Sequence, residues 1–69
     1  MIAKLYLETS KNKTGRWVTT WDYDGIGGTG KSSFDVDMSR HYAMLEFEKA
    51  MKETNIPIDN IITTMKVVK

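Results

Sequence analysis

Cysteine is absent from this sequence, and histidine and proline each occur once in 69 residues. Without cysteine there is neither a disulfide to reinforce the fold nor a thiolate to hold a metal. The lone histidine, His41, has no nucleophile and acid beside it to form a triad, and one imidazole does not make a metal cluster. It reads as a polar residue at the start of a helix. No apolar run approaches the ~18 residues that a membrane-spanning helix requires. Met1-Ile2-Ala3-Lys4-Leu5 also lacks the apolar stretch of a secretory signal. These absences predict a non-catalytic, cytoplasmic chain that uses no cofactor, no metal and no membrane.

What is present is ordinary globular composition, 41% apolar and 28% charged. The length suits one domain, residues 1–69. So small a domain buries only ~60% of the surface its unfolded chain exposes, which leaves stability marginal and gives a partner or a second copy something to contribute. Net charge is +1, but its distribution is uneven. Lys4, Lys11, Lys13 and Arg16 face only Glu8 within residues 1–16, whereas Asp22, Asp24, Asp35 and Asp37 face only Lys31 within residues 22–37. The pattern predicts one basic end and one acidic region.

Periodicity assigns the elements. Residues 2–9 alternate Ala3, Leu5 and Leu7 with Lys4, Tyr6 and Glu8, as a half-buried strand does. Residues 10–15 form a polar connector ending in glycine. Residues 16–23 are β-branched and aromatic, with Trp17, Thr19, Trp21 and Tyr23 on one face and Arg16, Val18, Thr20 and Asp22 on the other. Four of the five glycines fall in residues 24–32, which read as a flexible loop. Residues 33–38 alternate again and predict a third strand with Phe34, Val36 and Met38 on one side. Residues 40–54 place Ala43, Met44, Phe47, Ala50, Met51 and Thr54 on one helical stripe, with Ser39 or Asp37 as cap, Asn55 at the exit and Pro57 barring continuation. Residues 61–68 are strongly β-branched and predict a last strand, parallel to the first and third if the connection folds straight back, and a right-handed crossover could place it beside the first. The fold class is α+β in the order β-β-β-α-β: a small antiparallel or mixed sheet of three to four strands with one helix on one face.

Residues 25–32, Gly25-Ile26-Gly27-Gly28-Thr29-Gly30-Lys31-Ser32, match the phosphate-loop pattern G-x-x-x-x-G-K-[ST]. That pattern grips phosphates only where it leads directly into a helix, and here a strand-like segment follows instead. A hairpin loop is therefore the expectation. A lesser role remains, in which the amides of Gly27, Gly28 and Gly30, with Lys31 and Ser32, hold a nucleotide or another anion without hydrolysis.

The acidic pairs Asp22/Asp24 and Asp35/Asp37 are each spaced by two. Were strands 16–23 and 33–38 paired, all four carboxylates would share a face, where mutual repulsion weakens a sheet. Such a face suits a divalent cation or a basic protein surface. Trp17, Trp21 and Tyr23 are expected beneath the helix, because the opposite strand face makes a poor core. Tyr6, Val18, Lys4 and Arg16 then lie on the open face with the aspartates.

Residues 11–53 resemble the β-β-β-α arm-type DNA-binding domains of phage integrases, through Gly15-Arg16-Trp17, the glycine turn with Lys31, and Phe34 before the helix. The resemblance implies double-stranded DNA reading by the sheet. Asp35 and Asp37 depart from it, since a phosphate-facing surface needs lysine or arginine. So does the additional strand 61–68.

Three functional expectations follow. The first is a protein-interaction module, such as a small phage-type inhibitor or regulator of a nucleic-acid-handling protein. It would meet a basic partner through Asp22, Asp24, Asp35, Asp37, Tyr6 and Arg16, and the glycine-rich loop. The second is nucleic-acid binding through Lys4, Lys11, Lys13, Arg16 and the aromatics. The third is nucleotide or anion binding by residues 25–32. Strand 61–68 also offers an edge for a homodimer.

Overall fold

A computed structural model describes residues 3–56 and 61–68. Ile2, Pro57 and residues 58–60 lie outside the described residues. Among those described, the elements are β1 (Ala3–Lys11), β2 (Trp17–Tyr23), β3 (Ile26–Thr29), α1 (Val36–Glu53) and β4 (Ile61–Val68). They form a mixed four-stranded sheet in the order β3-β2-β1-β4, with the helix packed on it. β1 pairs antiparallel with β2 and parallel with β4, so the last strand lies beside the first as its sequence pattern predicts.

The β1–β2 hairpin is closed by Asn12. Its side-chain Oδ1 accepts hydrogen bonds from the backbone N–H of Thr14 (3.1 Å) and Arg16 (3.0 Å) and from the Thr14 hydroxyl (2.8 Å). An asparagine carboxamide satisfying nearby amides in this way is a local alternative to ladder bonding.

The third strand is not 33–38 but Ile26–Thr29, inside the segment read as a flexible loop. Asp24 (φ 50°) and Gly25 (φ 86°) both take positive φ, the requirement of a two-residue turn whose twist matches that of flanking strands. The Asp-Gly pair thus makes a hairpin, pairing Tyr23 with Ile26 and Thr20 with Thr29. Two other glycines serve close packing. A Cβ on Gly28 would come within 2.8 Å of the Trp21 indole nitrogen. A Cβ on Gly30 would come within 2.5 Å of the Ala43 backbone nitrogen, so strand and helix backbones meet there.

Past Gly30 the chain makes one further bridge, Ser33 to Trp17, and then turns into the helix. Helix α1 starts at Val36, four residues before the position that periodicity gives, with Asp35 rather than Ser39 or Asp37 at the cap position. The Asp35 side chain makes no capping hydrogen bond among the described residues, and its carbonyl accepts from Ser39 N–H at 3.0 Å. Six residues of alternation are too few to separate a strand from an entry turn followed by a first helical turn. Phe34 is exposed, Val36 half-buried and Met38 exposed, so they do not form the single face that a strand would give them.

At its other end the helix closes through Asn55, in the left-handed region at φ 57°. The Ile56 N–H donates to Met51 O (3.0 Å) and the Asn55 N–H to Lys52 O (3.4 Å), which together satisfy two carbonyls of the last turn. Ile56 packs against the core beside Met51.

The core lies between the helix and one face of β1 and β2. Leu5, Leu7, Trp21, Tyr23, Ala43, Phe47 and Met51 are buried together. Phe47 meets Trp21 edge-on at 5.6 Å between centroids and Tyr23 at 5.3 Å. The placement of Trp21 and Tyr23 under the helix is as the strand pattern predicts, and Trp17 is half-buried. At the other end of the core, hydroxyls replace hydrocarbon. Thr9 Oγ1 lies 2.7 Å from Thr19 Oγ1, which lies 2.8 Å from Ser39 Oγ. Mutual bonding of three buried hydroxyls avoids the cost of leaving any of them unpaired. No helix among the described residues is long and apolar enough to cross a membrane.

Candidate functional site

The helix packs over β1, β2 and β3 and, among the described residues, does not reach β4. Among the described residues no strand pairs with the outer edge of β4, and most of its side chains are exposed, with Ile61 and Val67 half-buried and Ile61 packed against the core. Its eight residues, Ile61-Ile62-Thr63-Thr64-Met65-Lys66-Val67-Val68, contain one charge, Lys66. Ile62 is 51% exposed, Met65 52% and Val68 39%. Parallel partners in a sheet point to the same side, so the pairings Leu5 to Thr63 and Leu7 to Met65 put Ile61, Thr63, Met65 and Val67 on the helix side. Ile62, Thr64, Lys66 and Val68 lie on the outer face with Tyr6 and Glu8.

Between β4 and the helix runs an open groove of about 540 Å³. Leu5, Phe47 and Met51 form its floor, Met44, Ile56 and Ile61 its walls, and Glu48 and Lys52 its polar rim. A concave apolar surface with a charged rim, continuous with a strand edge rich in β-branched residues, is suited to receiving another polypeptide.

The residues singled out from the sequence separate into three places. Asp22 lies on the outer face beside Tyr6, its register partner, and both are exposed. Asp24 sits in the β2–β3 turn. Asp35 and Asp37 stand at the start of the helix, beyond the Trp17–Ser33 bridge at the opposite end of β2. The length of β2 sets the two pairs roughly 20 Å apart at ~3.4 Å per residue. The expected four-carboxylate sheet face does not form, because its second pair belongs to a helix rather than a strand. Asp37 Oδ1 instead lies 3.7 Å from Arg40 of the same helix. Among the described residues no group of three or more acidic or histidine side chains is placed to hold a metal ion.

The glycine-rich segment is likewise not a cradle. Gly27 and Gly28 sit in the β2–β3 ladder, the Gly30 N–H donates to Thr19 O at 2.9 Å, and Gly30 is buried against Ala43. Ser32 is half-buried, and the Lys31 ammonium lies 5.5 Å from the centre of the Tyr42 ring. The amides are aligned along a strand and do not converge on a point, whereas phosphate binding needs convergence at a helix start.

Arg16 immediately precedes β2 at its hairpin end, whereas Tyr6 pairs with Asp22 near the other end of that strand. Its guanidinium lies 4.8 Å from the Phe34 ring centre, and nearby Lys11 lies 5.7 Å from that of Trp17. With Lys31 over Tyr42 and Lys13 in the hairpin, these form a basic, aromatic end of the molecule. Lys4 lies at the far end of β1, seven residues from Lys11 and so roughly 24 Å away along an extended strand.

Reading the sequence missed the groove. Met44, Ile56 and Ile61 were legible as apolar, but their arrangement depends on how far the helix reaches across the sheet. No significant match to this chain is found among protein-family models, curated proteins or solved structures.

Proposed function

We propose that this chain is a non-catalytic protein-interaction module whose working element is β4 with the groove beside it. The observation that carries the reading is a long edge strand that, among the described residues, has no partner on its outer side and exposes Ile62, Met65 and Val68, next to an open apolar groove. Natural sheets usually protect such edges with charge, bulges, proline or a covering helix. Here a single lysine stands in the strand. Strand addition would supply backbone hydrogen bonds along β4, while alternate side chains of the incoming strand would meet the groove and the outer face. The outer face carries Lys4 and Lys66 against Glu8 and Asp22, so charge there is balanced and does not favour a basic partner over an acidic one.

Met65→Lys tests this reading. Immobilised wild-type chain should retain a partner from lysate that the Met65→Lys chain does not, while circular dichroism of the two is the same. Asp35→Lys with Asp37→Lys should leave retention unchanged. Retention that survives Met65→Lys and is lost on changing the aspartates would refute it.

The three cation–aromatic pairs at the hairpin end favour a second reading, binding of single-stranded nucleic acid. Phe34, 71% exposed, offers a stacking surface beside Arg16, and Lys11, Lys13 and Lys31 offer phosphate contacts. Stacking on one base contributes ~1–3 kcal/mol, so Phe34→Ala should weaken binding of an oligonucleotide by roughly tenfold. Binding should also fall steeply with salt. Absence of a gel shift at low salt with any single-stranded probe would end this reading.

A further inference from the structure

We propose that the chain seated on β4 is a second copy of this one, joined by antiparallel β4–β4 pairing about a two-fold axis through Met65. The inference rests on the docking role of β4 and names its occupant.

The order of residues along β4 selects this pairing. A two-fold axis perpendicular to the sheet is the operation that sets identical edge strands side by side and antiparallel. It keeps both helices on the same side, so residues facing each other across the new ladder share a face, and their numbers sum to an even value. With the axis at Met65, Met65 meets Met65 of the partner subunit, Ile62 meets the partner's Val68, Thr63 the partner's Val67, and Thr64 the partner's Lys66. Ile62, Met65 and Val68 are the exposed apolar residues of β4, and this register gives each an apolar partner. Moving the axis to Thr64 sets Ile62 opposite the partner's Lys66 and leaves Val68 beyond the ladder. Moving it to Lys66 sets two ammonium groups opposite each other, which destabilises a sheet. The exposed apolar residues Ile62, Met65 and Val68 are thus placed symmetrically about Met65, as an isologous interface requires.

Placement relative to the groove agrees. Thr63 lines it, and the partner's Val67 would stand beside Thr63 on the helix side. Each copy would thereby narrow the open side of the other's groove. The result is a continuous eight-stranded sheet with two helices on one face. The β3 edge does not offer this: it is four residues long, and two of them are glycine.

Sedimentation equilibrium of the full chain over roughly 1–500 µM is the test, because self-association depends on concentration by mass action. The expected mass is twice the 7.9 kDa of one chain at the upper end. Met65→Lys brings two like charges to the axis and should weaken association at least about tenfold. Ile62→Lys alone and Val68→Glu alone should each weaken it. The double variant Ile62→Lys with Val68→Glu sets opposite charges across the ladder twice and should recover most of the loss. A single-chain mass throughout, undiminished association of Met65→Lys, or a double variant no better than the single ones would each overturn the proposal. A wild-type chain that stays single yet still loses a lysate partner on Met65→Lys would overturn self-pairing and leave the docking role standing. Loss of both would remove both.

Discussion

The two edges of this sheet are built on opposite principles. At β3 the strand is short, and the helix presses on the residue that follows it, through a glycine that admits no side chain. At β4 the strand is twice as long, the helix stops short, and apolar side chains remain in solvent. The helix thus closes over the β3 side by backbone contact at Gly30 and, among the described residues, leaves the β4 side open.

The comparison predicts that substitutions on the closed side act on folding and those on the open side act on association. The largest effect belongs to Gly30→Ala. Its methyl group would meet the backbone of Ala43, which cannot rotate away, and the cost should be about 3 kcal/mol or more by the scale of overpacked cores. Urea unfolding with an unchanged slope would measure it. Thr19→Val comes next. It removes the middle hydroxyl between Thr9 and Ser39 and should cost about 1–3 kcal/mol, since two buried hydroxyls each lose a partner. The smallest effect belongs to Met65→Lys in dilute solution, where the single chain should change by less than about 0.5 kcal/mol, as exposed sites do. A larger loss there would mean that β4 supports the fold of its own chain more than its exposure implies.

Much of the fold was legible in the sequence. Alternation at Leu5 and Leu7 and along Trp17–Tyr23, and the stripe through Ala43, Phe47 and Met51, group these residues by face, because side chains of one periodicity must share one face. The third strand was not legible from 33–38. Four glycines between 24 and 32 suggest a loop when counted as a composition, yet Asp24-Gly25 specifies a turn and Gly28 and Gly30 answer to the bulk of Trp21 and the backbone of Ala43. Those are tertiary demands, and local pattern does not contain them. The acidic site failed for the same reason. Asp35 and Asp37 alternate as strand residues do, but the chain uses them at a helix entrance. Of the working surface, the β-branched character of 61–68 was visible, whereas the groove depends on where the helix ends its reach.

Isotope-filtered nuclear Overhauser spectroscopy on an equal mixture of labelled and unlabelled chains tests the account most directly, because it reports only contacts between molecules. Cross-peaks should join the side chains of Ile62, Met65 and Val68 in one copy to Val68, Met65 and Ile62 in the other, with none at Ile26 through Thr29. Intermolecular cross-peaks confined to β3 or to the Trp17–Phe34 end, or none at a concentration where the folded sheet fills the sample, would contradict it.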